Sequence, residues 1–206
     1  LKNPIASIIA NVENFTPKDD EDEAALNKIK EQAIRMNKLI SEISEAAIVD
    51  NDLVTQSRER FDLSNTVTEI INHYVETNNY SDLNLSSNID KNVVLLGLPE
   101  RIGQVLVNLL DNAISFSRPT GNINVQLKKK WRRKPLLVVE DSGPGISEAS
   151  AERIFERFYT SRSGSSSVKN SSGLGLFICR QIIEAHGGTI TVGKSSLGGA
   201  RFEVNF

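Results

Sequence analysis

Asn108-Leu-Leu-Asp-Asn-Ala113 sits inside an apolar pattern, Ile102, Val105, Leu106, Leu109, Leu110 and Ala113, whose spacing predicts a helix. On that helix Asn108 and Asn112 lie one turn apart on one face, where two amides can coordinate a hydrated Mg2+ and phosphate oxygens. Downstream, the apolar run Leu136-Leu-Val-Val139 reads as a buried strand that ends in Asp141-Ser-Gly-Pro-Gly145, a carboxylate at the mouth of a glycine turn. A carboxylate so placed can accept from the exocyclic amine of adenine. Ser172-Gly-Leu-Gly-Leu176 then opens the helical pattern Leu176, Ile178, Cys179, Ile182, Ile183. Free backbone N–H groups and the helix dipole attract phosphate there. In this order the three patches imply a nucleotide pocket.

Around them the sequence predicts an α+β sandwich, with helices covering one face of a mixed sheet. Asp62 or Ser64 can cap a helix from about Asn65 to Thr77, and Leu83 to Ile89 and Val93 to Gly97 read as short strands. Pro99 suits the first turn of the next helix, which ends near Ser117 before the Pro119-Thr-Gly121 turn. Asn122 to Lys130 and Leu136 to Asp141 are strands joined by a basic tip. Ser147 to Phe158 contains helical turns, and Gly175 to His186 is a helix stopped by Gly187-Gly188. Thr189 to Val192 and Arg201 to Phe206 complete the sheet.

The first 50 residues follow another rule. Leu1, Ile5, Ile8, Val12 and Phe15 form one heptad seam; Leu26, Ile29, Ala33, Met36, Ile40, Ile43 and Ala47 form a second. Between them, Thr16 to Glu23 is a polar turn whose acids favour the start of the second helix. Two helices alone leave much of each seam wet, so a homodimer closing a four-helix bundle is the expected assembly. Residues 51–60 lack apolar periodicity and read as a linker. The chain therefore divides into a helical hairpin over 1–50, the linker, and a second domain over 61–206.

Composition excludes several classes. With 206 residues and a net charge of −2, the chain has no global attraction for nucleic acid. Its one cysteine, Cys179, falls in an apolar helix pattern, which rules out a disulfide framework. No apolar run approaches the roughly 20 residues that span a bilayer. Any membrane anchor is expected outside this chain.

The ordered patches and their flanks resemble the catalytic and ATP-binding domain of sensor histidine kinases. The matching motifs are the Asn box (Asn108 to Ala113), the first Gly box (Asp141 to Ile146), the Phe box (Phe155-Glu-Arg-Phe158) and the second Gly box (Gly173 to Leu176). Gln181 to Gly188 also belongs to that pattern. At the N-terminus, Leu1-Lys-Asn-Pro-Ile5 is similar to the end of the family's phosphoacceptor box, in which a His and an acidic residue immediately precede the Leu. His73 and His186 do not occupy that position, and structural roles are expected for both.

The resemblance implies a cytoplasmic kinase core, of an inner-membrane sensor, using ATP and Mg2+. ATP would phosphorylate the upstream His, and an Asp of a response regulator receiver domain would take the phosphoryl. Asn112, assisted by Asn108, would hold Mg2+ on the ATP phosphates. Asp141 would recognise adenine, with Gly143 and Gly145 letting the backbone approach the base. Gly173, Leu174, Gly175 and Leu176 would hinge a lid and offer N–H groups to phosphate. The family often carries a Lys and a Tyr three and four residues after the second Asn; here they are Ser115 and Phe116. Phe116 can still stack on adenine, and Arg118, Arg162 or Lys169 stands in for the absent cation. Asn3, four residues after the expected His, takes the position that orients water in dephosphorylating the regulator. The alternative is a dimeric ATP-binding scaffold without transfer activity, to which the Ser115 replacement points.

Thr160 to Ser172 is rich in Ser and carries Arg162 and Lys169 without an acid, as a mobile lid would. Phe155 and Phe158 are the expected apolar anchor beneath it. The run Lys128-Lys-Lys-Trp-Arg-Arg-Lys134 reads as a solvated hairpin tip rather than a nucleic-acid surface.

Overall fold

The computed structural model describes residues 2–15, 19–77, 83–117, 120–130, 134–160 and 173–206. It divides into two compact units, Leu1–Ile48 and Val49–Phe206.

The first unit holds α1 (Lys2–Glu13) and most of α2 (Asp20–Thr55). Asp19 begins the second helix by accepting from the Asp22 N–H at 2.8 Å. The heptad seams divide by exposure: Ile5 and Ala33 are buried, whereas Ile8, Ile29, Met36 and Ile43 are about half exposed.

In the second unit, β2 (Asn84–Ile89), β4 (Asn122–Lys128), β5 (Leu136–Asp141), β7 (Ala200–Asn205) and β6 (Thr189–Lys194) form one sheet in that spatial order. The β2–β4 pair is parallel and the others are antiparallel, so the sheet is mixed. Alternation along β4 and β7 buries Ile123, Val125 and Leu127 with Phe202 and Val204. Against them pack α4 (Pro99–Phe116), through Ile102, Val105, Leu106, Leu109, Leu110 and Ala113, and α5 (Gly175–Ala185), through Ile178, Cys179, Ile182 and Ile183. Truncating one such leucine, Leu109→Ala, costs about 2–5 kcal/mol. Helix α3 (Leu63–Glu76) completes the helical layer, and η1 (Glu148–Ser150) and η2 (Arg153–Phe155) are the helical turns before the Phe box ends.

Two local readings change. Helix α2 continues through Thr55, well into the stretch read as linker, and β1 (Glu59–Asp62) follows, paired antiparallel with β3 (Val94–Gly97) in a separate two-stranded sheet. The partners of both pieces are distant in sequence. Val49 is fully buried, and the Asp52 carboxylate binds the Arg101 guanidinium on α4, with Nε at 3.1 Å. Helix α3 starts at Leu63, two residues early, because Asp62 is the cap: its Oδ1 accepts from the Ser64 N–H at 2.8 Å. Ser64 then serves another purpose, its Oγ donating to Asp90 O and accepting from the Val93 N–H.

Candidate functional site

Three predicted patches meet along α4. Its C-terminal end lies against the first glycine turn: a Cβ on Gly143 would stand 2.6 Å from the Phe116 carbonyl oxygen, so only glycine allows that approach. Halfway along, Asn108 Nδ2 donates to Gly175 O at 3.3 Å, which joins the Asn box to the start of α5. Asn112 is half-buried one turn further, and Phe116 is half-buried at the helix end. Ser115 is exposed.

Asp141 ends β5 at 3% exposure. Its Oδ1 accepts from two backbone N–H groups, Gly143 at 2.8 Å and Ala200 at 3.1 Å. Burial pushes its carboxyl above the ordinary range, while those two donors pull the other way. Because both bonds fall on Oδ1, Oδ2 is left among the described residues to accept from an amine. The Gly199 N–H donates to the Asp141 carbonyl at 3.1 Å. A Cβ on Gly199 would collide with the Asp141 carboxylate and stand 2.5 Å from Gly143 N. Gly199 and Ala200 are thus part of the site although the motifs do not include them. Their one sequence signal is the Gly198-Gly199 pair between the last two strands.

The second Gly box begins at Gly173, whose φ is +73°. Its carbonyl accepts from the Phe158 N–H at 3.1 Å, and a Cβ there would stand 2.5 Å from Tyr159 O. No described side chain caps α5 at Leu174, so among the described residues the first-turn N–H groups at Gly175 and Leu176 are left to face an anion.

The two Phe-box rings have different fates. Phe155 is buried and meets Phe202 edge-on, centroids 6.5 Å apart. Phe158 is 58% exposed with φ +62°, so unlike Phe155 it does not join the core, and the lid it was expected to anchor lies mostly outside the described residues. Arg157 from the same box stands 4.5 Å over the Phe177 ring. Arg118, Arg162 and Lys169, the alternatives for a phosphate-facing cation, lie outside the described residues, as does most of the segment read as a lid. Asn3 is in the first turn of α1, its side chain likewise outside them.

His186, Cys179 and the lysines of the basic tip have structural duties. His186 Nδ1 lies 2.7 Å from Ile182 O and its Nε2 accepts from the Leu98 N–H, which fixes a neutral tautomer. The Cys179 thiol is fully buried and pushed up to about 12 by desolvation, so it is no nucleophile. At the basic tip, Lys128 pairs with Asp90 at 3.7 Å and Lys129, Lys130 and Lys134 donate to Asn92 O, Asn205 Oδ1 and Gly187 O. Among the described residues those cations serve their own chain.

The profile of the family described as "Histidine kinase-, DNA gyrase B-, and HSP90-like ATPase" matches residues 97–206, and that of the "His Kinase A (phospho-acceptor) domain" matches residues 1–51. Over its whole length the chain is similar to the sensor protein ChvG of Rhizobium meliloti, at 34% identity over 220 aligned positions covering 38% of that protein. The sensor protein SrrB of Staphylococcus aureus is 30% identical over 91% of this chain and 32% of its own. The chain therefore spans about a third of the curated relatives it matches. Among solved structures, the mycobacterial sensor histidine kinase MprB is 29% identical with a TM-score of 0.59, covering 71% of this chain and 95% of that one. No helix among the described residues is long and apolar enough to cross a membrane.

Proposed function

This chain belongs to the sensor histidine kinases, and from that premise we propose that it binds ATP in its second unit and phosphorylates a histidine immediately upstream of Leu1. A response regulator aspartate then takes the phosphoryl group. The observation that carries this reading is the state of Asp141: both of its hydrogen bonds, from the Gly143 and Ala200 N–H groups, fall on Oδ1, and Gly143 and Gly199 let the backbone close tightly around that carboxylate, which leaves Oδ2 as the acceptor for a ligand. Oδ2 accepts from the adenine amine, and the N–H groups that open α5 receive the phosphates.

Asn108 and Asn112 suit Mg2+. Amide oxygens are ligands for a hard cation, and the bond to Gly175 O engages the Nδ2 end of Asn108, so Oδ1 is the end that can accept. Among the described residues no cluster of three His, Cys, Asp or Glu could hold a metal, so phosphate and water oxygens would supply the rest of the shell. When bound, the ion screens charge between the terminal phosphates. The chain's own part is positional: it holds the nucleotide at both ends so that the γ-phosphorus can be presented in line to the imidazole.

The half-exposed apolar residues of the first unit, Ile8, Ile29, Met36 and Ile43, support a homodimeric four-helix bundle. Asn3 supports an additional regulator phosphatase activity. The setting is the cytoplasmic side of a membrane-anchored sensor.

Titration with labelled ATP tests the pocket. Asp141→Asn should weaken binding with or without Mg2+, whereas Asn112→Ala should weaken only its Mg2+-dependent part. Unchanged affinity in both variants overturns the assignment.

A further inference from the structure

The last two residues of β5 are both carboxylates and both buried, Glu140 at 2% exposure beside Asp141 at 3%. Strand alternation places them on opposite faces of the sheet. Asp141 continues the core-facing side after Leu137 and Val139, which pair with Val204 and Phe202. Glu140 faces the other way and pairs with Arg201 in register.

Despite pointing apart, the two grip one loop. The turn 195–199 joins β6 to β7 and passes around the end of β5. At its entrance, Glu140 Oε1 accepts from the Ser196 N–H at 3.1 Å, from Ser196 Oγ at 3.2 Å and from Ser195 Oγ at 3.4 Å. Its Oε2 receives Arg201 Nη1 at 3.1 Å. At the exit, Gly199 and Ala200 donate to the backbone and carboxylate of Asp141. Between the two ends the turn is internally closed: Ser195 N–H donates to Gly199 O at 2.9 Å, and Ser195 Oγ accepts from the Leu197 N–H at 2.9 Å. A turn braced at every residue transmits the position of its entrance to its exit.

We propose that Glu140 is a positioning residue for base recognition: by anchoring Ser195 and Ser196 it sets where the Ala200 N–H points, and so how Asp141 is aimed. The inference rests on the reading of Asp141 as the adenine acceptor. Buried without partners, a carboxylate is costly. Here the partners outweigh desolvation, and the Glu140 carboxyl is held below its ordinary range by Ser196 and Arg201. An anchor that stays ionised keeps its grip on the turn. The unusual expense of two adjacent buried carboxylates at one strand end is explained if each fixes one end of the same turn.

Competition titrations of the 206-residue chain with ADP and GDP test this. Guanine offers a carbonyl where adenine offers an amine, so a well-aimed Asp141 favours ADP. Glu140→Ala should lower ADP affinity by about fivefold or more and leave GDP within about twofold. Glu140→Gln keeps an acceptor for the Ser196 N–H and should recover most of the preference. Equal losses for both nucleotides mean that Glu140 is only a brace of the sheet, and no loss means that the turn needs no anchor; either result overturns the inference. If Glu140→Ala does not fold, the double change Ser195→Ala with Ser196→Ala loosens the same turn while leaving the Glu140–Arg201 pair, and is read by the same ratio. A parent chain that binds ADP and GDP alike overturns the Asp141 reading itself, whereas a parent preference that survives in the variants overturns only the role of Glu140.

Discussion

The imidazole of His186 accepts the Leu98 N–H through Nε2 at 3.0 Å, tying the end of α5 to the N-cap of α4, the helix that carries Asn108 and Asn112. Its other nitrogen faces Ile182 O, so the bond to Leu98 exists only in the neutral ring. Burial lowers the His186 pKa, and the Arg58 guanidinium, which donates to Ala185 O at 2.5 Å, lowers it further.

A pH dependence follows. A histidine whose folded pKa is depressed contributes stability that is complete above its unfolded value of about 6.5 and is lost as pH falls through that value towards the folded one. Melting temperature should therefore fall on acidification from pH 7 to 5.5, and His186→Gln should flatten that segment. Neither carboxylate accounts for it: Asp141, raised, has the opposite sign and favours the fold as pH falls, and Glu140, lowered, loses its contribution only below the ordinary carboxylate value. A slope unchanged in the variant contradicts the assignment.

Gly199→Ala should abolish measurable nucleotide binding. The new methyl would occupy the space of the Asp141 carboxylate and stand 2.5 Å from Gly143 N, so strand end and turn must part. Gly193→Ala is the control, since nothing lies within 4 Å of a Cβ there; a shift of its melting temperature should stay within that of a surface change, about 0.5 kcal/mol.

Ile29→Asp should disrupt self-association. The residue is 49% exposed within one chain, so a charge there is tolerated by the monomer but buried in a bundle, at about 3 kcal/mol or more of association. Light scattering at tens of micromolar should show dimer for the parent and monomer for the variant, and a monomeric parent contradicts the bundle.

Incubated with Mg2+ and labelled ATP, the chain should acquire no acid-labile phosphoryl group at His73 or His186. His186 has both ring nitrogens committed within the second unit, and His73 is exposed on α3, also in that unit rather than on the helical hairpin. Label recovered at either residue by peptide mapping would show that the phosphoacceptor is misplaced.

How much of this was legible in the sequence depends on how far each signal reaches. Helices α4 and α5 and strands β4 and β5 were readable because their periodicity is local and strong, and the place of Asp141 at the end of β5 because a buried run there meets a glycine turn. The end of α2 and the β1 strand were not. Asp52 is stabilised by Arg101, 49 residues away, and Glu59 pairs with Gly97, 38 away, and no spacing rule within residues 51–60 reveals partners so distant. The different exposure of Phe155 and Phe158 was not legible either, because the left-handed backbone that meets Gly173 and turns Phe158 outward has no signature in the residue type. Ala200 acts through its N–H, which no residue type announces.

The bond from Phe158 N–H to Gly173 O has a further consequence for insertions. Two left-handed residues, Phe158 and Gly173, meet at this bond although fourteen positions separate them in the sequence, so the bond closes a ring through those positions. Residues added within that ring do not shift the registers of β5, α5 or β7. Doubling its length costs only about 0.6 kcal/mol of closure entropy. A change of length confined to those positions is therefore expected to leave the melting temperature of the second unit nearly where it was, because the bond between Phe158 and Gly173 lies outside the altered stretch.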